Sequence, residues 1–410
     1  MNDFWIRLSI AVIGLCAASG VNWAIYRWAY FQRNIGPWRA APDTCPPRTW
    51  LDCLPIVGWL RLARESNVHG RGFWIRPLLI EILMPLFLVW MYDYWTQGGL
   101  LPLRPSLRAA VPIQTLRLQF VAHAILFSML VIATFIDFDE QSIPDLVTTP
   151  STLLALVGSA LFPAWHLFYE TPDGILVTLQ PGSPMSWDTS WDGIAGLWLG
   201  LLCFGIWCFA IADRRWITRR GFRKALEYFW AGLFRYPTWK ILLAVWVIGS
   251  IGIVVGYWRL PNEGWRSLFS SLVGMTLGCS IVWAIRIVAR AAMRVEAMGF
   301  GDVTLMAMVG AFLGWQPAWM AFFLAPMIAV LIVLILSLVT GNGMTPFGPY
   351  LAMATMLVLV FWDSLFNQYV MPRMLMMGNF WIWFLFAFLL VFGVVLWIWA
   401  QIKRSVFRSR

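Results

Sequence analysis

The sequence predicts an all-α, polytopic membrane helix bundle of about 9–11 spans, with a cytoplasmic loop after the first span. Three observations predict it. Of the 410 residues, 60% are hydrophobic and only 12% are charged, where a globular domain carries about 45–50% apolar and about 25% charged residues. That leaves too little polar surface to coat a water-soluble core. The apolar residues fall in long runs, and Lys and Arg collect in a few loops between them. The 28 Trp fit a chain whose indoles settle at lipid–water boundaries. Helix is the expected element, because a backbone in lipid must satisfy its own polar groups. The net charge of +10 does not read as a nucleic-acid surface, since the basic residues form no single face and lie where orientation charges belong.

The elements follow in order. The opening "MNDFWIRLSIAVIGLCAASGVNW" has the outline of a signal peptide, with "CAAS" as a cleavage site. Its apolar run continues to about Ile25, long enough to span, and positive charge is heavier after it (Arg27, Arg33, Arg39) than before it (Arg7). Residues 1–26 are therefore expected to be an uncleaved first span with its N-terminus outside. Residues 27–77 carry Arg27, Arg33, Arg39, Arg48, Arg61, Arg64, Arg71 and Arg76 and should form a cytoplasmic loop. Residues 78–362 make a membrane-embedded core, with runs near 78–95, 118–136, 146–163, 193–213, 241–258, 268–285, 303–315, 318–339 and 347–362. The runs at 303–315 and 347–362 fall short of the roughly 20 residues that cross a bilayer unaided. Residues 363–410 add a span near 379–402 and a basic tail.

Loop charge sets the orientation. Residues 164–190 hold no Lys or Arg, only Glu170, Asp173 and Asp188, and should lie outside. The next loop, "DRRWITRRGFRKALEYFWAGLFRYPTWK", is strongly basic and should lie inside. So should Arg286, Arg290 and Arg294, and the tail with Lys403, Arg404, Arg408 and Arg410. Arg104 and Arg108, on a short outer loop, are a mild exception. Alternation then puts "FIDFDEQSIPD" (135–145) and "EAMGFGDVTLMAMVGAFLGW" (296–315) on one face of the membrane.

Two carboxylates stand at span edges in those stretches, Asp137 and Asp302. An acid at the membrane edge is costly and points to function. Two such acids side by side do not both ionise easily, so one serves as acid and the other as base. The pair can activate water and protonate a leaving amide nitrogen with neither metal nor covalent nucleophile. Gly299 and Gly301, lacking Cβ, would let another backbone approach, a substrate strand being the expected one. Plainer readings exist for each. An Asp before a helix is often only an N-cap. Pro144 and Asp145 are ordinary helix-start residues, and Asp139 and Glu140 read as solvated loop charges. His69, His123 and His166 share no ligand spacing, and no cysteine pair has CxxC spacing, so no metal site is expected. Cys16, Cys203, Cys208 and Cys279 lie in apolar runs and read as small buried residues, which leaves Cys45 and Cys53 in the loop.

"IDFDEQSIPD", then "EAMGFGDVTLMAMVGAFLGW", then "TPFGPYLA" (345–352) resembles the type IV prepilin peptidases, a family of GxGD aspartic intramembrane proteases. "GVNWAIYR" (20–27), "LPIVGWL" (54–60) and "RPLLIEIL" (76–83) follow in that family's order, so the resemblance covers about half of the chain in pieces. It implies that Asp137 and Asp302 are the catalytic pair, supported by Gly299, Gly301, Pro144, Asp145, Phe347, Gly348 and Pro349. It implies cleavage of the leaders of prepilins or pseudopilins at the cytoplasmic face of the bacterial inner membrane. The peptidase step needs no cofactor; S-adenosylmethionine enters only if the N-methylation of many members is retained. The chain departs from the family in places. Members with a zinc loop carry two CxxC pairs, whereas residues 27–77 hold only Cys45 and Cys53, so this stretch resembles a degenerate N-terminal domain without zinc, held by apolar packing around Leu54, Pro55, Trp59 and Leu60. Thr304 stands where Lys is frequent, and residues 214–265 look like an insertion. The rival readings are a GxGD protease of the signal-peptide-peptidase or presenilin type, whose Tyr-Asp pair is replaced here by "FIDFDEQSIPD", a transporter or assembly factor without proteolysis, and a methyl-transferring or degenerate homologue.

Overall fold

The computed structural model describes residues 3–212, 237–293, 298–340, 345–378 and 380–407, together with 224, 227 and 230–232. The chain is a helix bundle. Its long helices are α1 (Asp3–Arg27), α2 (Ile75–Thr96), α3 (Ile113–Glu140), α4 (Asp145–Leu161), α5 (Ile194–Ile211), α6 (Thr238–Arg259), α7 (Asn262–Met293), α8 (Phe300–Leu313), α9 (Trp315–Thr340), α10 (Gly348–Val360) and α12 (Phe380–Phe407). The short α11 (Met371–Met377) precedes α12. The only strands among the described residues, β1 (Phe168–Glu170) and β2 (Leu176–Thr178), pair antiparallel in the loop after α4. Arg104 pairs with Glu170 of that hairpin at 2.5 Å. This pairing accounts for one of the two cations that broke the charge alternation.

Among the described residues, fewer helices have the length and composition of a span than there are apolar runs. Among the described residues seven are long and apolar enough to span: α1, α2, α3, α5, α6, α7 and α9. The count is eight if α10 and the helical stretch after it form one broken span, bent by 79°. The 303–315 run is α8, only 14 residues long, and the 146–163 run is α4, 17 residues long. Apolar run length cannot distinguish a span from a helix buried by other helices. In α8 every residue from Asp302 to Leu313 is buried, enclosed by α7, α4, α9, α10 and α3. The bend after α10 has local causes. The Trp362 indole donates to the Phe168 carbonyl at 2.7 Å, and the Tyr94 hydroxyl donates to the Val360 carbonyl at 2.9 Å. Both hold the chain where the helix stops. The basic loop after α5 lies mostly outside the described residues, as do Arg294, Arg408 and Arg410.

Close approach of α7 and α8 is what seats α8 at the centre. A Cβ on Gly274 or on Gly310 would overlap the other's carbonyl oxygen, so the two backbones touch through their glycines. Cys203, Cys208 and Cys279 are buried as expected, but Cys16 is exposed on the outer face of α1.

The loop between α1 and α2 is organised by charge more than by the apolar set named from sequence. Trp59 and Leu62 do form a small core with Tyr26, but Leu54 and Leu60 are exposed. Three fully buried carboxylates do the rest. Asp52 accepts from Arg61 at 2.8 Å and Arg64 at 2.9 Å, and from the Thr49 amide at 2.7 Å. Burial alone would raise the Asp52 pKa, but the Thr49 amide and the two guanidiniums outweigh it and hold it well below the usual carboxylate range. Glu65 takes Arg48 at 2.7 Å, and Arg48 also donates to the Gly36 carbonyl. Glu81 of α2 accepts from the Ser19 hydroxyl, the Asn22 amide, the Trp59 indole and the Ile56 amide, at 2.5–3.2 Å. One carboxylate thus ties α1, α2 and the loop together.

Candidate active site

Asp137 lies in the last turn of α3, which ends when Gln141 enters the left-handed region at φ 53° and its amide closes on the Asp137 carbonyl at 2.8 Å. The chain then runs through Ser142, Ile143 and Pro144 into α4, with Pro144 as its N-cap and Asp145 as its first residue. Asp302 lies in the first turn of α8, whose N-cap is Gly299. Asp302 is therefore the third helical residue and not the cap, which removes the plain capping reading. It is also buried, 6% exposed, as Asp137 is at 5%, and does not stand naked at a helix mouth.

The two carboxylates line one cleft of about 630 Å³. Asp145, Gly299, Gly301 and Phe347 line it too, with Tyr30, Ile143, Phe300 and Tyr350 among the remaining walls. Loop charge predicts the 137 and 302 stretches on one face of the membrane, and the fold brings them, together with the 347 stretch, to one cavity.

The glycines divide into different roles. A Cβ on Gly301 would lie 2.8 Å from Ile143 Cβ and 2.9 Å from its amide nitrogen. Gly301 thus admits the chain's own 142–144 segment, not a substrate strand as expected from sequence. Gly299 has no such close neighbour and adopts an ordinary φ of −67°. Gly348 opens α10 and donates its amide to Asp137 Oδ2 at 3.0 Å. A Cβ there would lie 2.5 Å from that oxygen and 2.9 Å from Ile143 Cδ1. Pro349 follows in the first turn, where its missing N–H costs nothing. Ile143, which sequence reading passed over, is the buried wedge between Gly301 and Gly348. Its only signal was its place between two polar residues and a proline.

Asp139 and Glu140 are not solvated loop charges. Arg76 grips Asp139 with both terminal nitrogens, at 2.8 and 2.9 Å, and Arg33 approaches it at 3.4 Å. Glu140 accepts from the amides of Tyr30 and Phe31 at 2.9 and 2.8 Å.

Zinc of the kind a CxxC-bearing loop holds has no matching donor set here. Among the described residues no three His, Cys, Asp or Glu side chains gather as metal ligands, and the Cys53 thiol is turned to the Pro37 carbonyl at 3.5 Å. A tetrahedral site needs four such donors.

Fold and site together define a multi-pass membrane protein whose central short helix and one long helix bring two buried carboxylates to a shared cleft. The model of the type IV leader peptidase family matches residues 228–335, a stretch that contains Asp302. Over 137 residues the chain is 31% identical to the prepilin leader peptidase/N-methyltransferase of Pseudomonas aeruginosa, covering 33% of this chain and 44% of that one. It is 31% identical over 110 residues to the protein of the same name from Aeromonas hydrophila, covering 26% and 38%. With that of Myxococcus xanthus it shares 24% identity over 256 residues, covering 62% and 63%. These stretches make the chain similar to the type IV leader peptidase family. It spans less than half the length of the first curated relatives it matches. No solved structure matches it.

Proposed function

We propose that the protein is an aspartic endopeptidase that cuts the leader of prepilin-like or pseudopilin substrates at the cytoplasmic face of a bacterial inner membrane. The observation that carries this reading is the meeting of Asp137 and Asp302, each in a family motif, in one cleft. In the proposed mechanism the pair shares one proton. The ionised carboxylate takes a proton from a water held between the two, and that water attacks the scissile carbonyl. The protonated partner hydrogen-bonds the carbonyl oxygen and then delivers its proton to the leaving nitrogen as the tetrahedral intermediate collapses. The Gly348 amide fixes Asp137 Oδ2 and so directs the other oxygen toward the water. The peptidase step draws only on these side chains and water; N-methylation, part of the relatives' name, is a separate activity.

The test is cleavage of a prepilin-like peptide by the purified protein in detergent, beside Asp137→Asn and Asp302→Asn. Each variant keeps side-chain size and loses the titrating carboxyl. Each should abolish cleavage while the protein inserts and folds, and the double variant should lose no more than either single one, because the pair works as a unit. Near-normal cleavage by both variants at matched expression ends the reading and favours a transporter or assembly role. Orientation has its own test. A cysteine introduced at position 180 should react only from outside, and labelling from the cytoplasm alone would overturn the cytoplasmic placement of the cleft.

A further inference from the structure

Asp139 and Glu140 end the helical turn that carries Asp137; Glu140 is spent on the segment that leaves α1, and Asp139 on Arg76 of α2 and Arg33 of that segment. Glu140 uses its two oxygens on two successive amides, those of Tyr30 and Phe31, a charge-assisted clamp on backbone and not on side chains. Asp139 takes the planar fork of Arg76, which is the geometry that gives an ion pair direction as well as attraction. Arg76 stands at the start of α2, and its guanidinium also lies over the rings of Tyr26 in α1 and Phe135 in α3, at 5.6 and 5.4 Å. The ends of α1, α2 and α3 therefore meet on two adjacent carboxylates. The clamped segment is no bystander, because Tyr30 lines the same cleft as Asp137 and Asp302 while keeping 60% of its surface exposed.

We propose that Tyr30 is a specificity-determining wall of the cleft, and that Glu140 and Asp139 are positioning residues that hold this wall at a fixed distance from Asp137. This rests on the peptidase reading above. A backbone clamp suits the task. It fixes the main chain at position 30 whatever the side chain there, and leaves the ring to limit the size of the substrate side chain that passes beside it. A purely stabilising role would not need a clamp directed at amides whose own side chains are exposed.

Two experiments test the proposal, one of them independent of activity. Amide hydrogen exchange in the purified protein should show Tyr30 and Phe31 protected, and Glu140→Gln should speed exchange of at least one of them at least tenfold, since its oxygen replaces one of the two acceptors and its NH2 group cannot replace the other. Equal exchange in wild type and variant would overturn the clamp. The second uses peptides that differ only by Ala, Leu or Trp at each position flanking the cut. Tyr30→Ala should move the kcat/KM preference toward the larger residue at one position. Glu140→Gln should shift the preference in the same direction, and Tyr30→Ala/Glu140→Gln should shift it no further than Tyr30→Ala alone. If Glu140→Gln slows every peptide equally, or Tyr30→Ala leaves the ranking unchanged, the wall is overturned. The failures are distinguishable. If wild-type protein cuts none of the peptides and an Asp302→Asn variant binds none, the peptidase reading falls and Tyr30's role with it, while amide exchange still decides the clamp.

Discussion

The amide of Gly348 donates to Oδ2 of Asp137 at 3.0 Å, across 211 residues of sequence, and no side chain fits between them. The contact makes "TPFGPY" part of the cleft. Gly348→Ala would place a methyl carbon 2.5 Å from that oxygen, the tip of a side chain that must turn aside to make room. A displacement of about 1 Å at a reacting group costs on the order of 100-fold in rate. We expect Gly348→Ala to lower kcat by about that factor with little change in unfolding temperature, measured on the same peptide substrate.

The contact between Gly274 and Gly310 predicts the opposite pattern. Gly310→Ala forces α7 and α8 apart, where no flexible side chain can give way. Overpacking of this kind costs about 1–3 kcal/mol. The variant should unfold earlier in a detergent melt, and activity should fall in proportion to the folded fraction. A variant with unchanged stability would show that α8 is free to shift.

Asp52 predicts how the loop between α1 and α2 behaves. Asp52→Asn leaves Arg61 and Arg64 without their shared anion. Hydrogen bonds to charged groups contribute about 1.5–3 kcal/mol each, discounted here because both arginines are partly exposed. Limited proteolysis should cut the variant within residues 34–74 before the helices. In wild type the pairing is present at full strength above the ordinary carboxylate pKa of about 3.9. It is lost only as pH falls below that value toward the depressed folded one, so the loop should resist proteolysis unchanged from pH 7 to 5.

His166, in the loop after α4, gives a pH dependence of its own. It is buried against Ser271, 3.4 Å from its ring nitrogen, with His123 near enough to interact. Burial pushes its pKa down to about 4. The unfolded chain takes up a proton near pH 6.5, which the folded chain refuses until about pH 4. Stability should therefore be full above about pH 6.5 and decline as pH falls toward 4, by up to about 1.4 kcal/mol per unit. His166→Gln should flatten that part of the stability profile, and an unaltered slope would count against a neutral buried imidazole.

Much of the architecture was legible because lipid imposes long apolar runs and charge marks the loops. The run at 303–315 misled the span count because α8 is sheathed by neighbouring helices, and a lipid-facing helix has the same composition. Asp137 and Asp302 could be singled out because acids are rare at such edges. Asp139 and Glu140 could not, since an acid at a helix end looks the same in water as in an ion pair. Their partners, Arg76 and the amides of Tyr30 and Phe31, come from 63 and about 110 residues away. The loop failed for a similar reason. Leu54 and Leu60 have the composition of a core and lie exposed, while Asp52, Glu65 and Glu81 have the composition of a surface and lie inside.

The shortness of α8 carries a consequence for where chemistry happens. Fourteen residues make a helix about 21 Å long, against a hydrocarbon layer of about 30 Å. Beyond its far end, Trp315 and Gln316 are bonded to the carbonyls of Pro181 and Gln180 in the loop between α4 and α5. If that loop marks one membrane boundary, the deficit of about 9 Å falls at the Asp302 end. With α8 set along the bilayer normal, that acid would be recessed below the surface, at a depth that depends on lipid chain length. On the peptidase reading proposed above, membrane thickness would then become a reaction variable, a thinner bilayer shortening the path by which a substrate reaches the two carboxylates.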